Sequence, residues 1–164
     1  MLVPRRSRGC VSHPSHSHRP QGPSSSVRAM KSKRVLLVDD NQDFLKAAKR
    51  FLRAVPGLEL VGEATSGEQA LELTAALHPD LVLMDCAMPG MNGLEATLRI
   101  KQQPNAPKVI MVTLHTHSAL CALANKAGAD GFLQKEDLVV DLPRLLASLF
   151  PTGTSPGEKQ GGLG

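Results

Sequence analysis

Tyrosine and tryptophan are absent from the 164-residue chain, and it holds only four phenylalanines. A core of this composition rests on leucine, valine, alanine and methionine. No run of about 18 apolar residues occurs, which argues against a transmembrane helix. The N-terminus lacks the apolar middle segment of a secretory signal. Cysteine is scarce and odd in number: Cys10, Cys86 and Cys121 are scattered, without CxxC spacing or a disulfide framework. A reducing cytoplasm is the expected location. Acidic residues are missing from residues 1–29, which carry Arg5, Arg6, Arg8, Arg19 and Arg28. The net charge of +4 therefore misleads, because residues 30–164 hold 14 basic and 15 acidic side chains. The remainder is near neutral, and the high isoelectric point is no sign of a nucleic-acid-binding domain.

Residues 1–32 read as a disordered basic tail, rich in Ser, Pro, Arg and His and without periodicity. Its histidines, His13, His16 and His18, read as solvated rather than as metal ligands. Met30 opens "MKSKRVLLVDD" and is a plausible true start, which would make the preceding residues a mis-assigned extension. Residues 151–164, rich in Gly and Pro, read as a second flexible tail.

Between the tails, short apolar runs alternate with amphipathic stretches. The strands expected are Arg34–Asp40, Leu58–Ala64, Asp80–Asp85, Lys108–Thr113 and Gly131–Lys135. The first helix follows Asn41 as cap, with Phe44, Leu45, Ala48, Phe51, Leu52 and Val55 on one face. Ser66 caps a helix from Gly67 to Leu77. Further helices are expected over Gly93–Gln102, over His117–Ala129 with Gly128 as its stop, and over Leu138–Phe150 with Pro143 in its first turn. Five strands alternating with five helices imply an α/β doubly wound parallel sheet covered on both faces. Ligands of such sheets sit at the carboxyl ends of the strands.

That rim collects the polar residues. "PDLVLMDCAMPGMNG" drives an apolar strand straight into Asp85 and then turns at a proline and a glycine. Asp39 and Asp40 end the first strand, Thr113 the fourth and Lys135 the fifth. Three converging carboxylates stay ionised only beside a cation. Hard oxygens suit Mg²⁺. Lys135 can grip a phosphoryl oxygen, Thr113 offers a hydroxyl, and Asp85 can act as nucleophile. The set points to phosphoryl transfer, in which positioning and charge neutralisation do most of the chemistry. Cys86 reads as a small buried filler.

The set Asp39-Asp40, Asp85 in "LVLMDCAMPGMNGLEA", Thr113 and "GFLQK" ending in Lys135 resembles the receiver domain of bacterial two-component response regulators. The likeness covers about residues 33–150, and "AGADGFLQKED" is similar to the NarL-type subfamily. It implies a flavodoxin-like (βα)5 fold in a single receiver domain. A sensor histidine kinase or phosphotransfer protein would phosphorylate Asp85. By the same resemblance, Asp40, Asp85 and the backbone carbonyl of Ala87 bind Mg²⁺ directly while Asp39 assists. Thr113 and Lys135 contact the phosphoryl group, Phe132 is the aromatic switch, and Ala87 and His115 are candidates for tuning dephosphorylation. No enzyme activity is implied beyond self-catalysed transfer to Asp85 and slow autodephosphorylation. A homodimer through the fourth helix, fifth strand and fifth helix is a further implied contact.

The sequence departs from the family pattern in two places. Glu136 follows the lysine where many receivers have proline, so the usual cis X-Pro bond is not expected and the loop should be looser. NarL-type proteins usually continue into a helix-turn-helix domain, whereas only about 14 residues follow the last helix here. A stand-alone receiver that works through protein contacts is therefore expected, without direct nucleic-acid or membrane binding. The alternatives are the receiver part of a NarL-type transcription regulator and a pseudo-receiver adaptor that is never phosphorylated. The complete acidic set argues against the latter. A phosphatase with an aspartate nucleophile would want a second acid two residues on, where Ala87 stands.

Overall fold

The computed structural model describes residues 31–115 and 118–151. The calls on His13, His16, His18, the Met30 start and most of both tails lie outside the described residues.

The order of elements is β1 (Lys33–Val38), α1 (Gln42–Ala54), β2 (Leu58–Ala64), α2 (Gly67–Leu77), β3 (Leu81–Asp85), α3 (Gly93–Lys101), β4 (Lys108–Thr113), α4 (Ser118–Lys126), β5 (Gly131–Gln134) and α5 (Leu138–Leu149). All neighbouring strands pair in parallel, in the spatial order β2-β1-β3-β4-β5. This is the flavodoxin-like arrangement, whose strand order reverses between β1 and β3.

Continuous apolar strands follow from burial on both faces. Along β1, β3 and β4, alternate side chains enter opposite cores. Leu36, Val38, Val82, Met84, Val109 and Met111 pack with Ala70 of α2, Ala96 and Ile100 of α3, and Ala124 of α4. Val35, Leu37, Leu81, Leu83, Ile110 and Val112 pack with Leu45, Ala48 and Leu52 of α1 and with Leu138 and Leu142 of α5. Two helices therefore cover one face and three the other. Each fully buried leucine or valine contributes about 1.5–3 kcal/mol of hydrophobic stabilisation.

Local signals set the helix starts. Asn41 Oδ1 accepts from Asp43 N–H at 2.9 Å and Phe44 N–H at 3.1 Å. Ser66 Oγ accepts from Gln69 N–H at 3.2 Å, and Asn92 Oδ1 from Glu95 N–H at 2.9 Å. These caps satisfy donors that have no partner inside the helix. Gly128, at φ +87°, turns the chain after α4.

One expectation needs correction. Pro143 is not in the first turn of the last helix but is its sixth residue, because the helix starts at Leu138. A proline there removes the bond to the Val139 carbonyl. Val139 and Pro143 are both exposed, so water can reach that carbonyl, while buried Leu138 and Leu142 hold the helix on either side of the break. Elsewhere the element limits agree with expectation to within about three residues, and His117, an expected part of the fourth helix, is outside the described residues. Among the described residues there are no cis peptide bonds, as expected from Glu136, and no helix long and apolar enough to cross a membrane.

The amino ends of the central strands are held by a clamp around Asp130, just before β5. Its carboxylate accepts from Lys101 Nζ at 2.8 Å, Lys108 Nζ at 2.9 Å and Val109 N–H at 2.9 Å. Burial pushes the Asp130 carboxyl up, but Lys101, the Val109 amide and Lys108 together hold it below its ordinary value. A depressed folded-state pKa gives stability that is present above the unfolded value, about 3.9, and is lost as pH falls through the folded one. Asp130→Ala should therefore cost about 1–3 kcal/mol at pH 7. In urea unfolding, its deficit against the wild type should shrink below about pH 4.

Candidate functional site

The carboxyl ends of β1, β3, β4 and β5 meet at one cleft of about 380 Å³, lined among others by Asp40, Asp85, Ala87, Thr113, His115 and Lys135. Asp85 is the last residue of β3 and only 3% exposed, paired in register with Val112 of β4 and one residue beyond the Met84–Val38 pair with β1. Gly93 at the start of α3 lets that helix approach closely, since a Cβ there would lie 1.8 Å from the Asp85 carbonyl oxygen. Asp39, directly after β1, is fully buried, and its neighbour Asp40 is exposed at the mouth.

Carboxylate oxygens of Asp39, Asp40 and Asp85 all lie within 4.8 Å of one another. Lys135 Nζ reaches into the cluster, 2.5 Å from Asp39 Oδ2 and 2.9 Å from Asp85 Oδ1. Asp39 Oδ1 accepts from Asn41 N–H at 2.9 Å, and Asp85 Oδ2 from Ala87 N–H at 3.2 Å. Three acids against one ammonium leave the site two charges short of neutrality. Asp39 Oδ2 is buried and, despite its ion pair, has no aligned hydrogen-bond donor among the described residues. An all-oxygen donor set with a deficit of two charges fits a hard divalent cation.

The electrostatics express the same shortage. Burial pushes the Asp85 carboxyl up, Lys135 opposes the rise, and the charges of Asp39 and Asp40 add to it, so that it stands at about 6. Burial disfavours the Lys135 ammonium, but its bonds to Asp39 and Asp85 outweigh that and raise it above its ordinary value. The Cys86 thiol is pushed up to about 12, first by burial and then by the charge of Asp85. Cys86 therefore stays protonated and serves as a filler.

The structure brings Asp39, Asp40, Asp85 and Lys135 together, and Ala87, Thr113 and His115 line the same cleft. Thr113 Oγ1, however, is engaged within its own loop, donating to the His115 carbonyl at 3.2 Å and accepting from His115 N–H at 3.4 Å. His115 is exposed. Phe132 does not line the cleft. It pairs in register with Met111 and packs, half-buried, against the core beneath α4.

Two features escape a reading of the sequence. Asp39, expected to assist the metal, also makes a direct ion pair with Lys135. Phe44, read as one of six apolar positions on α1, places its ring centroid 4.6 Å from Lys135 Nζ. A phenylalanine four residues after an acid carries no local signal of that contact.

The family model described as the response regulator receiver domain matches residues 35–148. The nitrate/nitrite response regulator protein NarL of Escherichia coli K12 is 37% identical over 112 residues, covering 68% of this chain and 52% of that protein. Response regulator UvrY of Escherichia coli K12 is 44% identical over 101 residues, covering 62% and 46% respectively. The chain thus spans about half the length of these curated relatives. Among solved structures, a LuxR-family two-component response regulator from Aurantimonas sp. SI85-9A1 superposes with a TM-score of 0.65 at 33% identity, covering 71% of this chain and 86% of that one. The response regulator domain of Thermotoga maritima CheB gives 0.66 at 29% identity, covering 71% and 95%.

A carboxyl raised from 3.8 to about 6 favours the folded state only while protonated, so its contribution is present below about 3.8 and lost as pH rises through about 6. Without divalent cations, Asp85→Asn should be more stable than the wild type at pH 7.5, by about 1–3 kcal/mol. Thermal unfolding in a chelator should show this advantage shrinking as pH is lowered through 6 toward 4.

Proposed function

The chain belongs to the response regulator receiver domain family of two-component systems, and from that premise we propose that Asp85 accepts a phosphoryl group from a sensor histidine kinase or phosphotransfer protein. The observation that carries this reading is a carboxylate fixed at the end of a buried strand, open to a cleft and paired with Lys135.

Mg²⁺ fits the acidic cluster, where Asp40 and Asp85 would hold it with the Ala87 carbonyl while buried Asp39 assists. When bound it supplies charge neutralisation for the incoming phosphoryl oxygens. The chain's own residues do the rest. An Asp85 carboxylate oxygen attacks phosphorus as the donor's bond to phosphorus breaks, and the leaving group departs with the electron pair. The strand fixes the direction of attack, and the Ala87 N–H orients the second oxygen of Asp85. Lys135 can donate to a phosphoryl oxygen without crossing the site, since it already touches Asp85.

Thr113 must release its own loop before its hydroxyl can turn toward the new group. The phosphoryl group carries about −1.5 to −2 charges, partly offset by the carboxylate charge Asp85 gives up, and brings three acceptor oxygens, which favours that exchange. We read Phe132 as the residue that follows, turning further into the space below β4 and α4. The face of α4, β5 and α5 then changes shape. It carries Leu123, 50% exposed, and Val139 and Val140, each 58% exposed, and is the surface we assign to protein contacts, a second copy of the chain included. Ala87 and exposed His115 flank the phosphoryl position and are the residues we assign to tuning its lifetime.

One observation favours a second reading. The segments matched in the curated relatives make up only about half of those proteins, so the domain would serve a DNA-binding regulator if coding sequence continues past Gly164. Sequencing the full transcript distinguishes the two.

With Mg²⁺ and acetyl phosphate, intact mass should show one added phosphoryl group on the wild type and none on Asp85→Asn. Labelling of the Asn variant at equal stoichiometry would exclude Asp85 as the acceptor. In Mg²⁺ titrations, Asp40→Ala should weaken binding more than Asp39→Ala. Thr113→Ala should still be phosphorylated, yet its amide exchange across residues 118–150 should change less on phosphorylation than that of the wild type.

A further inference from the structure

The Lys135 ammonium is held on three sides. Asp39 Oδ2 and Asp85 Oδ1 lie 2.5 and 2.9 Å away, and the centroid of the Phe44 ring lies at 4.6 Å. The lysine side chain is only 9% exposed, so the ring faces a largely desolvated charge, where the attraction of an ammonium to an aromatic face is strongest. The ring is also well anchored. Phe44 is the third residue of α1, its N–H donates to the Asn41 cap, and the Asn41 N–H donates to Asp39. The segment that presents two of the acids thus also presents the ring.

The three contacts differ in what phosphoryl transfer does to them. Asp85 loses its carboxylate charge when it becomes an acyl phosphate. Asp39 belongs to the acidic cluster that a divalent cation would engage. The aromatic face neither titrates, nor is esterified, nor ligates a hard cation. Its attraction for Lys135 is the same before and after the step. A purely structural phenylalanine would need only apolar volume here, whereas this position uses the ring's negative face.

We propose that Phe44 is a positioning residue for phosphoryl transfer, whose ring face keeps the Lys135 ammonium aimed at Asp85 while the carboxylates around it change charge. The catalytic consequence rests on the receiver reading above; the contact itself does not.

The test compares Phe44→Leu, which keeps apolar bulk, with Phe44→Tyr, which keeps the aromatic face, each with Lys135 and with Lys135→Met. Acetyl phosphate is the donor: the Asp85 oxygen to phosphorus bond forms, the phosphorus to acetate bond breaks, and acetate leaves with the electron pair. Phe44→Leu should slow labelling roughly threefold to tenfold, and Phe44→Tyr should stay within about twofold of the wild type. With Lys135→Met, Phe44→Leu should slow labelling no further. An equal loss for Leu and Tyr, or an undiminished Leu effect without Lys135, would overturn the proposal. A second measurement needs no phosphorylation. The Lys135 Hε resonances should carry a ring-current shift in the wild type and in Phe44→Tyr that is lost in Phe44→Leu, and an unchanged shift in the Leu variant would refute the contact. If the wild type itself takes no phosphoryl group, the receiver reading fails and the resonance shifts alone decide the place of Phe44.

Discussion

Repulsion among Asp39, Asp40 and Asp85 is the constraint from which the rest of this site follows. Three carboxylates with oxygens within 4.8 Å of one another favour separation, and a flexible scaffold would let them part. Here two of the three stand at or just beyond the ends of buried strands. The sheet supplies the rigidity, Lys135 supplies one positive charge, and the remaining deficit makes the cleft attractive to a cation. Burial first, and then the charges of Asp39 and Asp40, raise the Asp85 pKa. The arrangement stores unfavourable charge that a bound cation would relieve.

Stability and function are accordingly separated along the strands. At the carboxyl ends, charges are uncompensated and Thr113 is tied to its own loop. At the amino ends, Asp130 gathers two lysines and a backbone amide in a compensated network. The α1 to β2 contact is likewise compensated by the Lys49–Glu63 ion pair.

How much of this was legible in the sequence depends on how local each signal is. The strands were legible because a parallel sheet covered on both faces demands unbroken apolar runs, such as Leu81–Met84. The acids and Lys135 were legible because they interrupt or end those runs. Asn41 and Ser66 were legible as caps because capping chemistry spans only three residues. The start of the last helix at Leu138 was legible, but that start puts Pro143 in the second turn, where exposure of Val139 and Pro143 tolerates the lost bond, and no local signal shows that tolerance. The Lys135 contacts with Phe44 and Asp39 join the two ends of the domain and arise only once the chain has folded. The Thr113 hydroxyl belongs to a rotamer, which composition and spacing do not encode.

The position of β5 has a mechanical consequence. It is the shortest strand, of four residues, and it lies at the edge of the sheet, bound to β4 alone. An edge strand can shift while breaking ladder bonds on one side only, so its compliance exceeds that of β1, β3 or β4. Phe132 sits on this strand and Lys135 directly follows it, so the lysine paired with Asp85 and the phenylalanine packed beneath α4 are joined by three peptide units of a short strand held on one side only. Its brevity and the exposed charge of Glu136 just beyond it also blunt the edge as a template for strand-to-strand aggregation. Freedom to move and protection from self-association thus have the same origin, an edge kept short.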